Sequence, residues 1–437
     1  MGDVTAELLA RLLRVEDFDM RVAALVEVDG ETLVKLETTK TLVGCPDCGV
    51  RAKPKDRDDV AVRDLEVAGC PVVVIWRKRR WRCPEASCGK RSWTESCPFA
   101  ASRKVLSERV RAEICRAVGE ENKSVASQAR RFGVSWATAW AAVVDYGTPL
   151  VDDPARLEGV RALGIDETNF MKATPRSATK YVTSFVDLDG PPRVLDLVEG
   201  RDAADVGKWL TERGPHWCSG VEVCALDPHR GYYNAVTERL DCPIVLDPFH
   251  AVRLANRRID AVRRRVQNET LGHRGRKADP LYRARKLMLM GVENHSDRSW
   301  SRLQAALAAG DPYEEVGVVW VGKELLRTVY AAHDRRDANR RLVRFYSWCA
   351  DHDDIDELLS LARVIDAWQE QILNFFDDRY TNARTESLNL AVKNVKRCGR
   401  GFANFDHYRL RVLLHTGTLW NTHRTARLRT HQPRRVA

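Results

Sequence analysis

The sequence predicts a multidomain α/β protein: a core of mixed strands and helices, interrupted by an all-helical insertion and preceded by two small N-terminal domains. Three observations predict it. Two close cysteine pairs stand between residues 45 and 88. Strand-like and helix-like stretches alternate from Val160 to about Val266. Residues 270–375 carry Trp, Leu and Arg at helical spacing throughout. The 437 residues leave room for several domains. The boundaries expected are 1–100, 101–150, 151–269, 270–375 and 376–437.

Hydrophobic residues at 44% and charged residues at 30% exclude disorder as the main state. No apolar run is long enough to span a bilayer, so no membrane partner is expected. Met1-Gly2-Asp3 opens without the basic stretch and apolar core of a signal peptide. The chain is therefore expected in the cytoplasm, associated with the nucleoid, where its 12 cysteines stay reduced and open to metals. The net charge of +10 is concentrated. Residues 379–437 hold 13 Lys+Arg against Glu386 and Asp406, so the rest of the chain is close to neutral. Such a block points to a polyanion, foremost nucleic acid. Phe402, Phe405, Tyr408, Leu410, Leu413 and Trp420 interleave with the cations and predict a folded basic surface rather than a plain tail.

In chain order, Thr5–Leu13 predicts a helix, and Met20–Val28 and Thr32–Glu37 predict strands. Cys45-Pro-Asp-Cys48 forms one knuckle, and Cys83-Pro-Glu-Ala-Ser-Cys88 a second after 34 residues. Four thiolates in two close pairs match tetrahedral zinc, and a site closed by four cysteines is structural. Between the pairs, Val72–Ile75 and Arg77–Arg82 predict strands with a basic face. Cys70 and Cys97 stand apart and are expected in the core.

Residues 103–147 are helical in pattern. Ser124–Arg131 predicts a helix, Phe132-Gly133-Val134-Ser135 a turn with Ser135 as the next cap, and Trp136–Tyr146 a second helix. This is the helix-turn-helix arrangement, with Ser135, Trp136, Thr138 and Ala139 near the start of the helix that would enter a major groove. An ordinary helical hairpin has the same pattern, but the neighbouring knuckles and basic chain favour DNA binding. Pro149–Pro154 is expected to be a linker.

Val160–Ile165 predicts a strand ending at Asp166-Glu167. Tyr181–Val186 and Arg193–Val198 follow as strands joined by Asp187-Leu188-Asp189-Gly190. A helix over Ala203–Arg213, a strand over Val221–Leu226 ending at Asp227, a helix over Gly231–Leu240 and a strand over Pro243–Leu246 ending at Asp247 complete the series. That succession is the order of the RNase H-like fold, which carries one acid on its first strand and another at the end of its fourth. Those places fall on Asp166 and Asp227. A third acid is expected from a later helix, and Glu386 lies near the start of one running to about Arg397. Three carboxylates on separate elements suit magnesium, which takes oxygen ligands, and two such ions flank a scissile phosphate in many phosphoryl-transfer enzymes. A single Asp is most often a cap or turn residue, so the fold position carries the weight. In the helical insertion, Trp320 sits among apolar neighbours. Core packing is its expected role, and stacking on an unpaired base near the cleavage site the sharper alternative. Lys393, Lys396 and Arg397 are expected to hold phosphates without reading bases.

Gly164-Ile165-Asp166-Glu167, Asp247-Pro248-Phe249-His250-Ala251-Val252, Asn382-Ala383-Arg384-Thr385-Glu386-Ser387-Leu388-Asn389 and the run Gly401–Arg411 together resemble the DDE transposases of the ISL-three insertion-sequence family. The resemblance covers nearly the whole chain. It implies magnesium-dependent DNA cleavage and strand transfer, manganese being able to substitute. The implied partners are the element's terminal inverted repeats and target DNA, engaged by a homodimer or higher oligomer. By position, the catalytic acids would be Asp166, Asp227 and Glu386. Asp247 and His250 match an accessory motif that follows the second acid in related transposases, and Asp247 is the rival for that second acid. Where this chain has Ala383 the family usually has Gly, and a position needing positive φ would be strained by Ala. A catalytically silent regulator using only the N-terminal domains is the alternative, although it would have no reason to keep the acids. Another RNase H-like nuclease, such as a resolvase, rarely needs two N-terminal DNA-reading modules.

Overall fold

The computed structural model describes residues 3–175 and 178–420. The chain forms two compact units, Pro154–Lys393 and a second made of Met1–Asp153 with Asn394–Ala437.

The discontinuous unit opens with helix α1 (Asp3–Leu12) and a five-stranded sheet. Its strands are β1 (Met20–Val28), β2 (Glu31–Thr38), β3 (Lys53–Val67), β4 (Cys70–Arg82) and β5 (Ser92–Thr94). The order is β1-β2-β4-β3, with β5 added to β4. Val34, Leu36, Val62, Val72, Val74, Trp76 and Phe99 fill the core beneath it, and alternation along β4 places Val72, Val74 and Trp76 on one face. The sequence suggests two strands between the knuckles, whereas β4 is continuous and pairs antiparallel along β3. Strand β3 is hidden in the sequence because its first half is polar. Its antiparallel ladder with β4 holds it, and exposed charges pair across the sheet, Asp59 with Lys35 at 3.0 Å and Asp56 with Arg80 at 3.4 Å. Part of the expected basic face is thereby neutralised.

Three helices follow: α2 (Glu108–Gly119), α3 (Val125–Arg131) and α4 (Trp136–Val151). A serine caps each, Ser107, Ser124 and Ser135, by accepting a backbone N–H of the first turn. Gly133, at φ +59°, takes the turn between α3 and α4. Helix α4 continues to Val151, through the first half of the expected linker, with Pro149 inside its last turn.

The continuous unit carries a second five-stranded sheet, from β6 (Ala162–Met171), β7 (Lys180–Asp187), β8 (Arg193–Glu199), β9 (Val223–Leu226) and β10 (Ile244–Leu246). The order is β10-β9-β6-β7-β8. Strands β6, β7 and β8 are antiparallel neighbours, while β9 and β10 run parallel to β6. Helices α5 (Ala203–Arg213), α6 (Pro215–Ser219) and α7 (Arg230–Thr237) connect them.

The sheet is followed by α8 (Pro248–Leu271). Asp247 caps it, Pro248 opens its first turn, and Gly272 closes it in the left-handed region. Then come α9 (Pro280–Met288), α10 (Asp297–Gly310), α11 (Glu315–Tyr330), α12 (Arg335–Ala350), α13 (Asp356–Ala367) and α14 (Gln369–Asp378). Arg265 of α8 ties this layer together, reaching Glu357 of α13 at 2.9 Å and Glu315 of α11 at 3.1 Å. Buried Lys323 donates to the carbonyls of Met288 and Met290, so a cation closes the end of α9.

The last helices are α15 (Ala383–Cys398) and α16 (Phe405–Thr416). The sequence suggests one terminal segment from 376 onward, but from Asn394 the chain groups with the first 153 residues. Helix α16 packs on α2 and α4, and Gly147 of α4 admits it: a Cβ there would stand 2.8 Å from Leu414 Cδ1. Gly147→Leu is expected to cost about 1–3 kcal/mol of stability through overpacking and to speed amide exchange in residues 405–416. An unchanged denaturation midpoint and unchanged protection would contradict this packing.

Candidate active site and metal centre

The two knuckles converge. The donor sulfurs of Cys45, Cys48, Cys83 and Cys88 all lie within 4.8 Å of one another. The Cys45–Cys88 and Cys48–Cys83 pairs are 3.8 and 3.5 Å apart. Tetrahedral zinc with Zn–S bonds of about 2.3 Å sets sulfurs about 3.8 Å apart, so the cluster fits that ion. Burial raises the Cys45 thiol, but backbone N–H groups of Cys48 and Asp47 outweigh it and bring it down to about 7, toward the thiolate that zinc needs. Cys97 is buried beside the sheet core and Cys70 is exposed; neither belongs to the cluster.

In the continuous unit, Asp166 sits on central strand β6 and Asp227 directly after β9, two parallel neighbours, so both acids lie at one end of the sheet. Asp166 is buried. One of its carboxylate oxygens accepts the Glu167 N–H at 2.6 Å, and the other accepts the Asn389 side-chain amide of α15. Ser184 of β7 lies 3.2 Å from both the Asp166 carbonyl and the Asn389 Oδ1. Burial first, and the nearby charge of Asp227 second, push Asp166 up to about 7.

His250, in the first turn of α8, places Nε2 3.0 Å from Asp227 Oδ1 and 3.8 Å from Glu386 Oε1. The Asp227 contact is an ion pair set off the line of a hydrogen bond, so both buried atoms keep unused bonding capacity. Burial works against a charge on His250, but Asp227 outweighs it and raises the imidazole above its ordinary value. Glu386, in the first turn of α15, is the most open of the three acids.

Asp247 does different work. One oxygen caps α8 by accepting the Phe249 N–H at 2.7 Å, and the other accepts the Asn382 N–H at 2.6 Å. It thus joins the start of α8 to the residue before α15. Gly164 admits the same helix, because a Cβ there would overlap Thr385 Oγ1 and lie 2.9 Å from Leu188. Ala383 opens α15 and is not among the residues of positive φ, so Ala is unstrained where the family usually has Gly.

The sequence assigns no individual role to Asn382, Thr385, Asn389 and Ser184, all buried polar side chains. The available signal was their spacing. Asn382, Thr385 and Asn389 recur every three or four residues, so polar groups occupy the stripe that a helix normally fills with apolar ones.

The remaining candidates lie elsewhere. Trp320 is buried in α11, its ring 5.5 Å from that of Trp300, as core packing requires. Ser135 and Trp136 are exposed at the start of α4, and Thr138 is half-buried there. Lys393 and Arg397 are exposed on α15, and Lys396 is half-buried. The basic residues beyond Trp420 lie outside the described residues. Among the described residues, the four cysteines are the one group of three or more side chains brought together at the spacing of a metal site.

A model of the ISL3 transposases, described as "Transposase", matches residues 163–412, more than half of the chain. A second, the zinc-finger of transposase IS204/IS1001/IS1096/IS1165, matches residues 41–88. The transposases for insertion sequence element IS1557 from two Mycobacterium tuberculosis strains, CDC 1551 / Oshkosh and ATCC 25618 / H37Rv, are each 26% identical over 292 residues. That match covers 62% of this chain and 63% of theirs, under two thirds of the relatives' length. A solved structure, the Drosophila P element transposase strand transfer complex, aligns with 72% of this chain and 92% of its own at 12% identity and a TM-score of 0.38. No described helix is long and apolar enough to cross a membrane.

Two outcomes are expected. Elemental analysis should find about one zinc per chain by ligand count, and Cys83→Ser should lose it; full occupancy in that variant would rule out the assignment. The second concerns pH. Unfolded Asp166 titrates near about 3.9, so below about 7 the folded chain holds a proton that the unfolded chain releases. Stability of the metal-free chain should therefore fall as pH rises through that window, and the raised His250 acts in the same direction. Asp166→Asn should flatten the decline in melting temperature between pH 5 and 8. An undiminished slope would show that Asp166 is not the perturbed group.

Proposed function

We propose that this chain, which belongs to the ISL3 family of DDE transposases, binds the terminal inverted repeats of an insertion sequence and catalyses metal-dependent DNA cleavage and strand transfer. One observation carries the assignment of the site. Asp227 is the strand-end acid with a buried oxygen outside any hydrogen bond, beside a histidine that also reaches Glu386. Both oxygens of Asp247 are engaged in holding backbone. The catalytic acids in this reading are Asp166, Asp227 and Glu386, with Asp247 and His250 as positioning residues. The sheet order, three antiparallel strands followed by two parallel ones with an acid on the first and another after the fourth, supports an RNase H-like core.

The acid set fits magnesium, or manganese in its place: hard carboxylate oxygens, one of them buried without a donor, and a pair of like charges that a divalent cation would relieve. When bound, the metal supplies activation of water and stabilisation of the leaving 3′ oxygen. The chain's own groups prepare this. Asn389 and the Glu167 N–H fix the Asp166 carboxylate, which must shed its proton to become a ligand. His250 holds Asp227 and Glu386 at one place. Asp247 and Asn382 set the start of α15 and hence Glu386. No nucleophilic side chain is required, since the freed 3′ hydroxyl can attack target DNA at the same acids.

For DNA reading, serine-capped α3 and α4 with the Gly133 turn between them support a helix-turn-helix, with Ser135, Trp136 and Thr138 at the leading end of α4. Lys393, Lys396 and Arg397 supply phosphate contacts. The partners are element ends and target DNA, engaged by a homodimer or higher oligomer. The rival reading, a catalytically silent regulator, gains nothing from Ala383, whose backbone is unstrained.

The test is Asp227→Asn against Asp247→Asn, assayed for cleavage with magnesium and with manganese. Asp227→Asn should abolish cleavage with either metal and leave end binding intact. Asp247→Asn should keep the cap but lose about 1–3 kcal/mol of stability, because its amide nitrogen cannot accept the buried Asn382 N–H, and retain partial activity. Normal cleavage by Asp227→Asn would overturn the assignment of the second acid.

A further inference from the structure

We infer that a cavity in the discontinuous unit, between α3, the start of α4, the 399–404 loop and α16, holds one unpaired nucleotide of a DNA strand. This rests on the nucleic-acid reading above, but it gives Trp136 a different task from groove reading.

The cavity measures about 380 Å³, within the usual range of ligand sites. One wall is aromatic. Trp136 stacks on Trp140 with centroids 5.7 Å apart and planes 18° apart, and Trp140 packs on His407 at 4.5 Å. Phe402 forms another part of the lining. Trp136 is 48% exposed, a large apolar ring at the cavity's edge with one face already taken by Trp140. Tryptophan left open in this way suits an aromatic partner better than solvent.

The second observation is independent. Arg411 lines the same cavity and is only 2% exposed. Buried guanidinium groups are normally paired with carboxylates, because desolvating a lone charge is costly. Arg411 has no carboxylate partner among the described residues: it donates to Asn122 Oδ1 at 3.1 Å and the Lys123 carbonyl at 3.2 Å, touches the Cys398 thiol and the Phe402 ring, and its Nε has no hydrogen-bond partner. Arg400 on the rim is exposed and has no ion pair among the described residues. No carboxylate lines the cavity.

Stacked rings beside uncompensated cations match a ligand that is planar at one end and anionic at the other, which is the chemistry of a nucleotide. A base inside a duplex is already stacked on both faces. The platform therefore suits a base that is frayed, overhanging or extruded, its phosphate held by Arg400 and its flank by Arg411.

The test uses the full-length protein and fluorescence anisotropy with two labelled probes, a twelve-residue oligothymidylate and a blunt duplex carrying the element end. Trp136→Ala should weaken single-strand binding about 5- to 100-fold, a larger loss than the one it causes on the duplex. Trp136→Phe should recover most of the loss. Arg400→Ala should reduce the single-strand salt slope by about 0.7. Unchanged single-strand binding in Trp136→Ala, or an equal loss on both probes, would overturn the proposal. Thr138→Ala, read on the duplex alone, tests groove reading separately. Its failure to affect the duplex would remove that reading and leave the single-strand comparison to decide the cavity.

Discussion

The docking of one helix onto one strand is the constraint on which the site depends. Helix α15 must bring Glu386 to the end of a sheet that already carries Asp166 and Asp227, and three acids in one place repel. The structure offsets this with neutral polar contacts. Asn389 donates to Asp166, the N–H of Asn382 donates to Asp247, and the missing side chain of Gly164 lets Thr385 approach the strand. Each contact is buried, so each is strong where made and costly where broken. The acids are thus placed by buried neutral groups together with His250, which reaches both Asp227 and Glu386.

That division explains which parts of the fold were legible. Strands β6 to β10 announce themselves by apolar runs, and the acids by their position at strand ends. The cysteine pairs are legible because zinc fixes both residue type and spacing. Asn389 was not legible, since an asparagine in a helix usually faces water, and its partner Asp166 lies 223 residues away. Asp247 is the instructive case. Its motif stands out in the sequence, yet the prominence reflects a helix cap and a tie to Asn382. Sequence can show that an acid ends a strand, but not whether its oxygens are already engaged.

Two further elements were hidden for different physical reasons. Strand β3 begins Lys-Pro-Lys-Asp-Arg-Asp-Asp, which lacks apolar alternation; its backbone ladder with β4 secures it, and its acids face cations on β2 and β4. Helix α16 belongs with α2 and α4, elements more than 250 residues earlier, through small residues such as Gly147 that carry no signal of their own partner. Long-range association of this kind follows from shape, and shape is not written locally in a sequence. The same assembly creates the aromatic cavity, whose lining comes from residues 124–140 and 398–411.

The central claim is that Asp227, and not Asp247, completes the metal-binding acids. The most direct measurement is anomalous diffraction from crystals of the full chain soaked in manganese. The account predicts anomalous density in contact with the carboxylates of Asp166 and Asp227, with Asp247 still bonded to the N–H groups of Phe249 and Asn382. Density on Asp247, with Asp227 left bound only to His250, would contradict it.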